Sequence, residues 1–90
     1  MKEYRLLKKE VRNYIDYLEV TKQYNEQIQT LERITKWYKQ ENMLIRAVDL
    51  IQILAQSYET DRRYKKAATT WHKVGDLQSQ EFLVLENILT

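Results

Sequence analysis

The side chains that could do acid–base or nucleophilic work in this chain are one histidine, two serines and scattered carboxylates. His72 is the single histidine and cysteine is absent, so no thiolate or second imidazole is at hand to share a metal ion. Ser57 and Ser79 have no general base in view to activate them. The carboxylates are dispersed as Asp16 and Glu19, Asp49, Glu59 and Asp61, then Glu81 and Glu86. Glu81 and Glu86 are five residues apart, a spacing that does not stack side chains on one helix face. A carboxylate pair doing acid–base work also needs a pocket, and a 90-residue helical chain has little room for one. The expectation is a protein that is not an enzyme and uses no metal and no cofactor.

Charge gives the next candidate. The chain carries 15 basic and 13 acidic residues, a formal net charge of +2, too near balance to imply nucleic acid by itself. Locally the basic residues gather at Arg62, Arg63, Lys65, Lys66 and Lys73, with Lys8, Lys9 and Arg12 elsewhere. Five positive charges near one helical hairpin could meet phosphates or an acidic protein surface. No aromatic is clearly placed to stack a base, because Tyr64 and Trp71 are expected in the core. Nucleic-acid or acidic-surface binding is thus the alternative reading, behind a protein partner.

The elements that must position these residues are helices. There is no proline and one glycine, which suits long unbroken helices and leaves no glycine-rich phosphate loop. Apolar side chains recur by threes and fours in five segments. The first runs over residues 2–20 with Tyr4, Leu7, Val11, Tyr14, Ile15 and Leu18. The second runs over 23–39 with Tyr24, Ile28, Leu31, Ile34 and Tyr38, and the third over 42–59 with Leu44, Ala47, Val48, Ile51, Leu54, Ala55 and Tyr58. The fourth carries Tyr64, Ala67, Ala68, Trp71 and Val74; the fifth carries Leu77, Phe82, Leu85, Ile88 and Leu89. Thr21, Asn42, Asp61 and Asp76 are candidate N-caps, and Gly75 suits the left-handed residue that ends a helix. Short connections make neighbouring helices antiparallel.

No apolar run is long enough to span a membrane. The start "MKEYRLLKKEV" lacks an apolar signal-peptide core. With cysteine absent, the expected setting is intracellular and cytoplasmic.

Shifting the chain by 40 residues aligns two hairpins. Val11 meets Ile51, Tyr14 meets Leu54, Ile15 meets Ala55, Leu18 meets Tyr58 and Tyr24 meets Tyr64. Farther on, Ile28 meets Ala68, Leu31 meets Trp71 and Ile34 meets Val74. Size and polarity agree through two helices and the turn between them, as an internal repeat requires.

The second copy, "LAQSYETDRRYKKAATTWHKV", resembles a tetratricopeptide (TPR) repeat. Leu54 and Ala55 form its leucine–small pair, Tyr58 its aromatic, Tyr64 the tyrosine opening the second helix, and Ala67, Trp71 and Val74 follow in the family's order. The first copy departs from the pattern: Ile15 and Gln27 stand where small residues are usual, and Leu31 replaces the aromatic. The spacing of 40 exceeds the family's 34, and the proline after the second helix is missing. The resemblance covers some two thirds of the chain.

It implies an all-α single domain over residues 1–90, with repeat one at 8–39, repeat two at 42–75 and a terminal capping helix at 77–89. These five helices would form antiparallel hairpins stacked as a short TPR-like α-solenoid. Ala55 and Ala67 would sit where helices cross, and Tyr58, Tyr64 and Trp71 would pack towards the next hairpin. The family implies a protein-interaction scaffold whose first helices line a groove. Carried over, the groove positions are Lys9, Arg12, Asn13, Asp16 and Glu19, then Asp49, Gln52, Ile53, Gln56 and Glu59. That mixed polar face suits a peptide or helix of a protein partner. Arg12, Asn13 and Asp16 do not match the family's carboxylate clamp, and Asp16 would repel a C-terminal carboxylate. The fifth helix is too apolar for one stripe, so its outer side offers a route to self-association as a homo-oligomer.

Overall fold

The computed structural model describes residues 8–89. Tyr4 and Leu7 of the expected first stripe lie outside that range. Four α-helices and one 3-10 turn make up the described chain. They are α1 (Lys8–Val20), α2 (Tyr24–Gln40), the 3-10 turn Leu44–Ala47, α3 (Val48–Thr60) and α4 (Tyr64–Leu89). No strand is present among the described residues.

Helix stripes place the core. Ile15 and Leu18 come from α1, and Ile28, Leu31, Ile34 and Tyr38 from α2. Ala47, Val48, Leu50, Ile51, Leu54, Ala55 and Tyr58 come from the 3-10 turn and α3. From α4, among the described side chains, come Ala67, Val74 and Leu77. Helix α3 is therefore the centre of the fold, buried by α2 on one side and α4 on another. Each helix packs on its sequence neighbours, most extensively α3 with α4. Ala55 of α3 and Ala67 of α4 are 0% and 3% exposed; small side chains of this kind let helix backbones approach.

The three connections share one geometry. Lys22 (φ 59°), Asn42 (φ 55°) and Arg62 (φ 60°) adopt the left-handed conformation. Each amide donates back to a carbonyl three residues earlier, Lys22 to Glu19, Asn42 to Lys39 and Arg62 to Glu59. The next amide reaches five residues back, Gln23 to Leu18, Met43 to Tyr38 and Arg63 to Tyr58. These paired bonds satisfy the orphan carbonyls of a helix end. The accepting residues Leu18, Tyr38 and Tyr58 are all buried, so each turn is pinned to the core. The unit recurs every 20 residues, and the 40-residue similarity spans two of them.

This geometry corrects the capping expectations. Thr21 ends α1 and donates its hydroxyl to the Tyr17 carbonyl at 2.8 Å. Asn42 is the left-handed residue after α2, and Asp61 is the C-cap of α3. The N-caps of α2 and of the 3-10 turn are Gln23 and Met43, neither with a side-chain cap bond. The third expected helix opens as the 3-10 turn and becomes α-helical at Val48.

The expected fourth and fifth helices are one helix. Residues 64–89 run through Gly75 and Asp76 without a break, and Gly75 has no positive φ. A mid-helix glycine is unfavourable by only about 1 kcal/mol. Val74 and Leu77 flank it at 3% and 5% exposure, and their packing on the core carries the helix past it. There is accordingly no separate capping helix over repeat two. At ~1.5 Å per residue α4 is about 39 Å long, close to the 45 Å longest extent of the molecule. Among the residues whose side chains are described its last buried one is Leu77; Ile88 and Leu89 of the expected stripe lie outside them. Beyond Leu77, Phe82, Leu83, Val84 and Leu85 are 65%, 57%, 50% and 52% exposed, so neither Phe82 nor Leu85 is in the core.

Candidate functional site

The expected groove residues lie on α1 and α3, and one ion pair ties the two helices together. The Arg12 guanidinium meets the Asp49 carboxylate, both half-exposed. Around it Lys9, Asn13, Asp16 and Glu19 of α1 are exposed, as are Gln56 and Glu59 of α3, while Gln52 is half-buried. Ile53 instead packs against the core. Glu59 is engaged within the fold, since its carboxylate accepts the indole N–H of Trp71. Arg12, Asp49 and Glu59 of this set already have partners in the chain. Lys9 stands at one end of α1, with Asp16 and Glu19 towards the other.

Two polar residues behind that face hold it in register. Gln27 is fully buried and Ser57 is 3% exposed. The Gln27 amide nitrogen donates to the Ile15 carbonyl of α1 at 3.1 Å. The Ser57 hydroxyl lies 2.7 Å from the Gln27 amide oxygen and 2.8 Å from the Ile53 carbonyl, and donates between them. Helices α1, α2 and α3 are joined by this chain of bonds. A buried amide needs such partners, since an unpaired one is costly. Gln27 was visible in the sequence as a misfit at a small-residue position; its pairing with Ser57, thirty residues on, was not.

A second link joins α2 to α3. The Tyr58 hydroxyl donates to Glu32 at 2.6 Å. Burial pushes the Tyr58 phenol above its ordinary range, the bond to Glu32 and that carboxylate's charge push it further, and Arg63 pulls it back in part.

Arg63, Lys65 and Lys66 line one open surface hollow with Tyr64. Arg62 is the left-handed turn residue. Arg63 pairs with Asp61 at 2.7 Å and donates to Asn25 at 3.1 Å. Lys66 stands 5.8 Å from the centre of the Tyr58 ring, within cation–π range. Lys65 is exposed beside it. Lys73 lies two turns along α4, in an open cleft of about 460 Å³ shared with Lys39, Asn42, Asp76 and Gln80. Tyr64, expected in the core, is 66% exposed, and Tyr14 is 43% exposed. Trp71 is half-buried against the core.

His72 is on the surface, 3.7 Å from the Asp76 carboxylate one turn along α4. No group of histidine and carboxylate side chains able to hold a metal is found among the described residues. No helix among them is long and apolar enough to cross a membrane. No family model, no curated protein and no solved structure matches the chain.

Proposed function

We propose that the chain is a non-catalytic protein-interaction module with TPR-like stacking of two helical hairpins, α1–α2 and α3–α4. The polar face bordered by α1 and α3 receives a peptide or a helix of a partner protein. The observation that carries this reading is the Arg12–Asp49 ion pair. It links the first helices of the two hairpins, and Asn13, Asp16 and Gln56 on those helices are exposed. Side-chain amides and carboxylates at such spacing can hydrogen-bond an extended or helical segment, and the acidic end at Asp16 and Glu19 favours one carrying lysine or arginine there. The intracellular, cytoplasmic setting expected from composition accords with a scaffold or adaptor of this kind.

A photo-cross-linking amino acid tests this directly. Placed at Asn13 or Gln56, it captures a discrete partner band from cell extract; placed at Gln29, exposed on α2, it does not. Equal capture at all three positions, or none at Asn13 and Gln56, refutes binding at this face.

A further inference from the structure

We propose that α4 is a self-association helix, pairing antiparallel with α4 of a second copy of this chain. The proposal stands apart from the α1–α3 reading and uses a different surface. Steps of four and three carry Tyr64, Ala68, Trp71, Gly75, Gln78, Phe82 and Leu85 along one line of α4. That alternation is the seam spacing of a coiled coil. The line lies beside the face that α3 covers and touches it at Trp71, whose indole donates to Glu59 of α3. Tyr64, Phe82 and Leu85 are 66%, 65% and 52% exposed; Ala68, Gly75 and Gln78 are exposed and Trp71 is half-buried. Apart from Gln78, every residue of the seam is apolar or small.

Size and charge select the occupant and its direction. An antiparallel second copy sets Ala68 against Leu85, Trp71 against Phe82 and Gly75 against Gln78, in both halves of a two-fold contact. Small residues then face large ones. A parallel copy would stack Phe82 on Phe82 and leave a void between the two Gly75 positions. A Cβ at Gly75 would have nothing within 4 Å, so there is open room for a close helix. The flanks agree. Lys65 and Glu86, both exposed, border the seam at its two ends. Antiparallel pairing puts Lys65 of each copy beside Glu86 of the other, whereas parallel pairing would bring Glu81 against Glu86.

Sedimentation equilibrium of the full chain tests the proposal, with far-UV circular dichroism confirming that each variant stays helical. The expected result is a dimer that Phe82→Glu converts to monomer. Lys65→Glu and Glu86→Lys each weaken it about tenfold, two attractive pairs becoming two repulsive ones, and the double swap restores it. Orientation is read by cross-linking, since the chain has no cysteine of its own. A mixture of Ala68→Cys and Leu85→Cys chains forms a disulfide dimer, and neither variant does so alone. A monomer at all concentrations overturns self-association and leaves the seam to a helix of another protein. A dimer unaffected by Phe82→Glu overturns this surface, and cross-linking of either variant alone overturns the antiparallel direction.

Discussion

Removing the Ser57 hydroxyl should cost far more than its size suggests, and only while Gln27 is present. In Ser57→Ala the Gln27 amide oxygen, on a side chain with 0% exposure, loses the hydroxyl 2.7 Å away. A buried acceptor left without a partner is destabilising by about 1–3 kcal/mol. Alanine's better helix propensity returns roughly 0.5 kcal/mol. The net expectation is a loss of about 1–2 kcal/mol, from a total of about 5–13 kcal/mol for a chain this long. The melting temperature should fall by roughly 5–15 °C. In the Gln27→Leu background no acceptor remains to be stranded. There the same Ser57→Ala change should be close to neutral, since replacing both partners by apolar groups forfeits little. The Ile15 and Ile53 carbonyls keep their helical bonds in every variant. Urea titration followed by circular dichroism and tryptophan fluorescence gives all four corners of the cycle. If Ser57→Ala has the same effect in both backgrounds, the bond does not couple α2 to α3 and the reasoning fails.

Further outcomes follow from the same structure. Gly75→Ala should stabilise the chain by roughly 0.5–1 kcal/mol, because the added methyl meets nothing within 4 Å; a lower melting temperature would show that the glycine ends a helix after all. At Lys22, φ 59°, glycine should be neutral or stabilising and valine destabilising by about 1 kcal/mol or more, read from the same melts. The folded chain holds the Tyr58 proton more tightly than the unfolded chain does. Its contribution is therefore constant below about pH 10 and lost as pH rises further, at no more than about 1.4 kcal/mol per pH unit. Tyr58→Phe should remove that alkaline slope and, at neutral pH, the bond to Glu32; an unchanged slope would exclude Tyr58 as its source.

The apolar stripes were legible because burial follows the helical period. Fifteen of the stripe residues, from Ile15 and Leu18 to Val74 and Leu77, are buried. The turns were misread for a physical reason. Thr21, Asn42 and Asp61 are residue types that serve N-caps, and sequence alone places them at the start of the next helix. Here the left-handed backbone at Lys22, Asn42 and Arg62 puts them at the end of the previous one, without the glycine that usually marks it. Gly75 misled in the opposite sense, since its neighbours Val74 and Leu77 are buried and keep the helix intact. The polar face on α1 and α3 was legible as the complement of two stripes. The partners that occupy Arg12, Asp49 and Glu59 were not, because ion pairs across 37 residues and an indole-to-carboxylate bond leave no periodic trace.

Packing between sequence neighbours also sets the order of assembly. Nearly all close approaches join consecutive helices, so the chain closes only short loops on its way to the native state. Low contact order of this kind accompanies folding in microseconds to milliseconds. The α3–α4 pair, with the largest share of packing, is the natural nucleus. Helix α1 contributes Ile15 and Leu18 to the buried set among the described side chains, so it should join last and its amides should exchange with solvent first. The face proposed to bind a partner is therefore completed by the helix that the chain holds least firmly.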